Sequence, residues 1–174
     1  MRDSVDLTMV NTLGVEAFTA LLGGIFEHSP WVARAAHAGG PFASVAALHA
    51  AMASAVAKSS LGQCLALLRA HPELARPGAL TASSAAEQGD MGLHRLANDE
   101  AAAFDAGNTA YRARFGFPFI IAVRWQRDRA AILAALLGRL GSSPEQEMTT
   151  ALAEVAKIAR FRLDALITPR EDAG

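Results

Sequence analysis

Apolar side chains recur along most of the chain at intervals of three and four residues, which is the spacing of amphipathic helices. Over residues 15–25 this spacing predicts a first helix, whose length is limited by Pro30. An alanine-rich stretch over residues 45–57 has high helix propensity. Similar patterns predict helices over residues 61–70, 98–115, 129–140 and 144–167. Strand-type alternation is almost absent.

Residue types that cap helices stand at the predicted helix ends. Helix starts are indicated at Ser44, Ser60, Ser84, Asn98, Asp128 and Ser143. Ser60, Ser84 and Ser143 are each followed three residues later by Gln or Glu, which is the spacing of a capping box. Gly116 and Gly141 are placed like C-terminal caps.

Residues 118–125 (PFIIAVRW) are the one ambiguous segment, since a short apolar run is compatible with a strand or with a buried helix. Pro118 and the charges after Trp125 favour a short buried connector. No internal repeat and no low-complexity linker interrupts the chain. For 174 residues we therefore predict an all-α, single-domain helical bundle over residues 1–174.

Composition and charge narrow the class of protein. Hydrophobic residues make up 52% of the chain and charged residues 19%, as in a folded globular protein. The net charge is −1 and no basic stripe stands out, so we expect neither nucleic-acid nor membrane binding. No segment has the roughly 20 apolar residues of a membrane span, and neither end carries a secretory or peroxisomal signal. Together with the lone Cys64, these features predict a soluble cytoplasmic protein.

The sequence shows no metal or cofactor motif. The five histidines form no His-x-x-x-His pair, and a single cysteine gives no zinc pattern. Neither a glycine-rich phosphate loop nor a Gly-x-Ser-x-Gly elbow occurs. We therefore predict no metal and no cofactor, and any chemistry must be carried out by acids, bases and cations of the chain.

Two titratable residues have both a structural and a functional interpretation. His71 precedes Pro72, so it should lie at a helix-to-loop corner, either as an idle helix-end residue or facing a cleft. Glu87 either completes a capping box with Ser84 or faces a substrate. Local sequence alone favours the structural interpretation for both, and favours a solvated helix position for the neighbouring Gln88.

Arg162 interrupts the apolar stripe of the last predicted helix. That stripe runs through Leu152, Val155, Ala159 and Leu166, whereas Lys157, Arg160 and Asp164 lie on the other face. A buried arginine is costly unless it is paired. Arg162 is therefore predicted either to form an internal salt bridge or to offer its planar guanidinium to a ligand.

Five segments, in this order, carry a family resemblance: FEHSPWVARAA, HPELA, SSAAEQGDMGL, NTAYRARFGFPFIIAVR and EVAKIARFRLDAL. Together they resemble the 2-oxo-4-hydroxy-4-carboxy-5-ureidoimidazoline (OHCU) decarboxylases of urate breakdown. The resemblance extends from about Leu7 to about Ile167. It departs from the family at Phe161, where leucine is common, and in a compact region between HPELA and SSAAEQ that lines the expected pocket rim.

The resemblance implies an all-helical, cofactor-free enzyme, usually a homodimer, that converts OHCU into (S)-allantoin and CO2. The family's catalytic residues fall on His71, Glu87 and Arg162. Its substrate-lining positions fall on Pro72, Ser84, Ala85, Ala86, Glu87, Gln88, Phe119, Ile120, Ile121, Ala122 and Val123. The sequence leaves open whether His71 or Glu87 transfers the critical proton.

Two other functions are compatible with the sequence. The chain could be a helical binding module that has lost its chemistry, although the presence of all three catalytic residue types argues against this. A decarboxylase acting on a different ureido acid would have the same residues.

Overall fold

Helices account for most of residues 4–75, 81–93 and 96–168, which are the residues that the computed structural model describes. The helices are α1 (Leu7–Thr12), α2 (Val15–Leu22), α3 (Pro30–Ala36), α4 (Val45–Ala57), α5 (Leu61–Arg69), α6 (Ala82–Asp90), α7 (Asn98–Phe115), α8 (Arg129–Arg139) and α9 (Pro144–Leu166). Two 3₁₀ turns span His37–Gly39 and Val123–Trp125. Two short strands, β1 (Val5–Asp6) and β2 (Ile167–Thr168), pair in parallel. The prediction of an all-α fold is confirmed.

Most predicted caps are found where the sequence places them. The Ser60 hydroxyl accepts the N–H of Gln63 over 3.2 Å, and the Gln63 side chain accepts the N–H of Ser60 over 3.1 Å. The same reciprocal bonds join Ser143 and Gln146 at the start of α9. Gly116 ends α7 with φ of +76°, a left-handed conformation that favours glycine. These ends are set by contacts within three or four residues, which is why sequence predicts them.

The predicted capping box at Ser84 is wrong. α6 begins at Ala82, and the Thr81 hydroxyl caps it by accepting the Ser84 N–H over 3.2 Å. Ser84 thus lies in the first turn, and Glu87 lies in the helix interior. The physical reason is that threonine at position 81 caps the same helix three residues earlier.

The chain divides into two compact units, residues 1–67 with 156–174 and residues 68–155. The unit boundaries fall inside α5 and inside α9. The assignment of residues 1–174 to a single domain stays a prediction.

In the first unit, α3 packs against both α2 and α4. Phe18 on α2 contacts the His37 ring edge-on at 5.1 Å between centroids and stacks on Phe42 at 6.2 Å. The fully buried apolar side chains here include Phe18, Leu22, Phe26, Val32, Leu48 and Met52. Only Phe18 and Leu22 of this core belong to the apolar spacing that predicts the first helix, and Val32 lies on α3, which was not predicted.

In the second unit, α7 packs against α8 at close range. A Cβ atom at Gly107 would lie 2.8 Å from Leu136 Cδ2, so a larger residue there would require the buried Leu136 side chain to shift. An aromatic cluster extends from the end of α7 into the segment that follows. Its members are Tyr111, Phe115, Phe117 and Phe119.

A buried polar network joins α7, α8 and α9 inside the second unit. The Tyr111 hydroxyl donates to Glu147 Oε1 in a very short hydrogen bond, and Arg139 Nε donates to the same oxygen over 2.8 Å. Glu147 and Tyr111 are both fully buried. Burial raises the pKa of the Tyr111 hydroxyl well above its usual value, and the hydrogen bond to Glu147 raises this pKa further.

No single helix among the described residues is long and apolar enough to cross a membrane. α4 and α5 together satisfy the criterion of length and composition, as a pair bent by 115°.

Tyr111 should remain un-ionised in the folded protein at alkaline pH. It is the one tyrosine of the chain, so tyrosinate absorbance reports it directly. Because folding raises its pKa, the unfolded chain loses this proton first, and the free energy of unfolding falls once pH exceeds about 10. This contribution amounts to about 1.4 kcal/mol per pH unit and should be absent in Tyr111→Phe. Tyrosinate absorbance that appears near pH 10 in the folded protein would contradict the expectation.

Candidate active site

His71 lies at the corner where α5 ends, as the sequence predicts. α5 ends at Arg69, and the His71 N–H donates to the Leu68 carbonyl oxygen over 3.2 Å. The residue belongs to the second unit and is only 7% exposed, so it is buried. Pro72, which follows, is half-buried. The predicted position of His71 is therefore confirmed, and its role stays a prediction.

Helix α7 holds the loop that follows His71. Arg112 Nε donates to Glu73 Oε1 over 2.7 Å, and the Glu73 side chain is largely buried. Asn108 Nδ2 donates to the Leu74 carbonyl oxygen over 2.8 Å, with Asn108 itself 2% exposed. These two bonds fix the backbone immediately beyond the histidine.

Helix α6 holds the same loop from another side. The Ala75 N–H donates to Gln88 Oε1 over 3.2 Å, and Gln88 Nε2 donates to the Glu73 carbonyl oxygen over 3.5 Å. Ala75 has φ of +58°, which costs an alanine about 1 kcal/mol, so these contacts must hold the loop in shape. The expectation of a solvated Gln88 is wrong, because its amide is buried against the loop.

The remaining predicted residues of α6 differ in exposure. Ser84 is buried and its hydroxyl accepts a hydrogen bond from the Thr81 hydroxyl over 3.0 Å. Glu87 is half-buried, and Ala85 and Ala86 are exposed. Of the predicted pocket rim between HPELA and SSAAEQ, residues 76–80 lie outside the described residues, and only Thr81 and Ala82 at the start of α6 are described.

The predicted connector, residues 118–125, is buried only up to Val123, whereas Arg124 and Trp125 are exposed. The backbone is irregular up to Ala122 and then enters the Val123–Trp125 turn, and every side chain from 117 to 123 is buried. Arg139 Nη1 donates to the Ile120 carbonyl oxygen over 2.8 Å. The Ala122 N–H donates to Glu154 Oε2 over 2.7 Å. Two charged side chains thus hold this short stretch of backbone.

The predicted site residues fall in four places along the chain: residues 71–72, residues 84–88, residues 119–123 and Arg162. The first three belong to the second unit and are connected there. Gln88 joins α6 to the loop that carries His71, and α6 packs against the Val123–Trp125 turn. The segments carrying His71 and Glu87 and residues 119–123 are therefore held together by direct contacts. Arg162 belongs to the other unit.

Arg162 is buried and forms an internal ion pair. Its Nη1 donates to Glu27 Oε2 over 2.8 Å and to the Ile25 carbonyl oxygen over 3.4 Å. The two charged side chains are 6% and 1% exposed. The predicted internal salt bridge is thus present, and the predicted role of Arg162 toward a ligand stays a prediction. Arg160 instead pairs with Asp164 on the exposed face, as predicted.

Six residues that hold these segments were not predicted from the sequence: Glu27, Asn108, Arg112, Arg139, Glu147 and Glu154. The signal used for Arg162 would have found two of them. Glu147 and Glu154 share with Arg162 the buried face of α9, at helical spacing with Ala151 and Ile158. Tyr111 and Ala122, the partners of Glu147 and Glu154 on other elements, lie 36 and 32 residues away and have no local signal.

Known proteins share both the sequence and the fold. A sequence model of the OHCU decarboxylase family matches residues 11–164. The 2-oxo-4-hydroxy-4-carboxy-5-ureidoimidazoline decarboxylase of Haloferax volcanii is 43% identical over 157 residues, which cover 90% of this chain and 93% of the relative.

Two solved structures resemble the chain. A crystal structure of (S)-allantoin synthase is 37% identical with a TM-score of 0.75, and the match covers 94% of this chain and 54% of that one. A crystal structure of OHCU decarboxylase in the presence of (S)-allantoin is 21% identical with a TM-score of 0.68, and the match covers 88% of this chain and 98% of that one. At this level of identity, the similarity is evidence of a shared fold only. From the match to the family model and the identity with the Haloferax enzyme, the chain belongs to the OHCU decarboxylase family.

Proposed function

We propose that this chain catalyses the decarboxylation of OHCU to (S)-allantoin and CO2 in urate degradation, without a metal or cofactor. The observation that carries the proposal is the connection between the two predicted catalytic segments: Gln88, next to Glu87, is bonded to the loop that begins at His71. Family membership supplies the substrate.

The reaction sets three requirements. The bond between a ring carbon and the carboxylate breaks, CO2 leaves, and the electron pair remains on the ring carbon until a proton is added on one face. The protein must therefore hold the heterocycle, orient the carboxylate, and place a proton donor on a single side.

We assign proton transfer to His71 and Glu87. A histidine titrates close to neutral pH and so can both give and take a proton there. Burial of His71 in a loop fixed by Gln88 and Asn108 supports this role, because a proton donor must be held in one orientation. Glu87, in the interior of α6, is no part of the helix cap and can turn toward substrate.

We assign substrate orientation to Arg162 and to the backbone of residues 119–123. The guanidinium fork suits a carboxylate or the polar edge of an imide-like ring. The ion pair with Glu27 is the structural alternative to this role, and the assignment rests on the family resemblance. Pro72, Ser84, Ala85, Ala86 and Gln88 complete the proposed lining.

The direct test measures the loss of OHCU over time and the chirality of the allantoin formed. OHCU is generated enzymatically just before use, and the reaction is run with and without purified protein that has been exhaustively treated with a chelator. We expect faster loss of OHCU and an excess of (S)-allantoin over the racemic product of spontaneous decay. Loss of activity on chelation with recovery on adding zinc would overturn the cofactor-free mechanism. If the protein does not accelerate OHCU loss, the proposed function is overturned, and the remaining functions are a binding module and a decarboxylase of another ureido acid.

We also propose that the protein is a cytoplasmic homodimer, as the family resemblance implies. Sedimentation of the purified chain should give twice its mass of 18.2 kDa. A monomeric species with full activity would contradict the dimer, and fractionation of the source cells tests the location.

His71→Gln should lower kcat by roughly 10²–10⁴-fold, the usual worth of a positioned acid–base group. His49→Gln is the matched control, because His49 is also partly buried and bonds a backbone carbonyl, that of Ala156, over 2.7 Å. Steady-state kinetics and circular dichroism of both variants provide the measurement. Equal activities in the two variants would make His71 only a helix-end residue.

Glu87→Gln should abolish most activity while the melting temperature changes little, because the cap of α6 is Thr81. Glu100→Gln is the matched control, since Glu100 is partly buried in the same unit and pairs with Arg129 at 3.4 Å. If Glu87→Gln retains the activity of the control, the carboxylate of Glu87 has no part in the chemistry.

Arg162→Lys should impair turnover, whereas Arg160→Ala should change stability by no more than about 1 kcal/mol and leave turnover intact. Lysine keeps the charge beside Glu27 but lacks the planar fork. Arg160 makes an exposed ion pair with Asp164. Kinetics with circular dichroism as a folding control separates the two, and the reverse ranking would show that Arg162 only pairs with Glu27.

A further inference from the structure

Two charged side chains outside the predicted site hold the backbone of residues 119–123. Arg139, the last residue of α8, bonds the Ile120 carbonyl oxygen. Glu154 on α9 bonds the Ala122 N–H. The N–H and carbonyl groups of Ile121 lie between these two fastened positions.

Arg139 is itself held on several sides. Its Nε and Nη2 both donate to Glu147 Oε1, and its guanidinium carbon lies 4.7 Å from the centroid of the Phe119 ring. Tyr111 donates to the same Glu147 oxygen and contacts the Phe119 ring edge-on at 5.4 Å between centroids. The guanidinium therefore fixes one peptide carbonyl and one neighbouring aromatic ring together.

We propose that Arg139 and Glu154 are positioning residues, which set the peptide planes of residues 119–123 against the substrate without touching it. The proposal rests on the proposed function, in which this backbone lines the site. Glu147 and Tyr111 act one step further away, by fixing the guanidinium of Arg139.

The chemistry of the Arg139 and Glu154 side chains explains why they can fix the backbone of residues 119–123. The Arg139 guanidinium donates from Nε and Nη2 to Glu147 and from Nη1 to Ile120, and its flat face lies over the Phe119 ring. A lysine ammonium has neither the planar set of donors nor a flat face. The Ala122 N–H is buried, and a buried donor without an acceptor is costly. The Glu154 carboxylate supplies that acceptor. Both contacts lie within residues 68–155.

Arg139→Lys in the full chain should lower kcat/KM for OHCU by about 10- to 100-fold, since small misplacement of a binding group costs that much. Arg114→Lys is the matched control: Arg114 also bonds a backbone carbonyl, that of Ser142 at 2.9 Å, and lies over an aromatic ring, Phe115, at 5.4 Å. The control should stay within about twofold of the wild type.

Glu154 allows a second comparison at one position. Glu154→Gln keeps an oxygen that can accept the Ala122 N–H, whereas Glu154→Met has similar length and no such acceptor. The glutamine variant should retain most of kcat/KM and the methionine variant should lose it. Equal losses in both would overturn the role of the hydrogen bond.

Two readouts separate positioning from a merely structural role. Amide hydrogen exchange at residues 121–123 should become faster in Arg139→Lys and Glu154→Met, and the shape of the pH–rate profile should not change, because neither residue transfers a proton. A lower melting temperature with unchanged kcat/KM and unchanged exchange would overturn the proposal, as would a shifted pH profile.

The outcomes distinguish this proposal from the proposed function. If the wild type does not accelerate OHCU loss, the function is overturned, while the exchange rates still decide whether Arg139 and Glu154 fix the segment. If the wild type is active and Arg139→Lys matches Arg114→Lys in both rate and exchange, the function stands and the positioning role is overturned.

Discussion

Charged side chains on the buried face of α9 require partners, and this requirement organises both units. Glu147 and Glu154 in one unit and Arg162 in the other are each less than a tenth exposed. An isolated charge in such surroundings would cost several kcal/mol. Each is instead met by a partner group: the Arg139 guanidinium, eight residues from Glu147, and, from more distant parts of the chain, the Ala122 N–H and the Glu27 carboxylate.

The consequence for the proposed site is that two of its segments are irregular backbone held by side chains. The loop that begins at His71 is fastened by Gln88, Asn108 and Arg112, and residues 119–123 are fastened by Arg139 and Glu154. Neither segment has a helix or sheet of its own to keep it in place. For the proposed cofactor-free reaction, fixed positions of the groups around the substrate are what the protein can supply.

Local rules predicted the fold class and most element ends. The reciprocal bonds of Ser60 with Gln63 and of Ser143 with Gln146 depend on neighbours in sequence, so they can be deduced without a structure. The same rule was wrong at Ser84, where a threonine three residues earlier provides an equivalent cap. Local chemistry offers two caps there, and the structure uses Thr81.

The sequence by itself determined the helical fold, the position of His71 at a corner and the burial of Arg162, because each follows from periodicity or from the residue next in line. The tertiary structure alone decided the partners. Glu27 and Arg162 are 135 residues apart, and Gln88 is hydrogen-bonded to Ala75, which lies 13 residues away. Nothing in local spacing encodes such pairs, since they form only when packing brings distant segments within hydrogen-bonding distance.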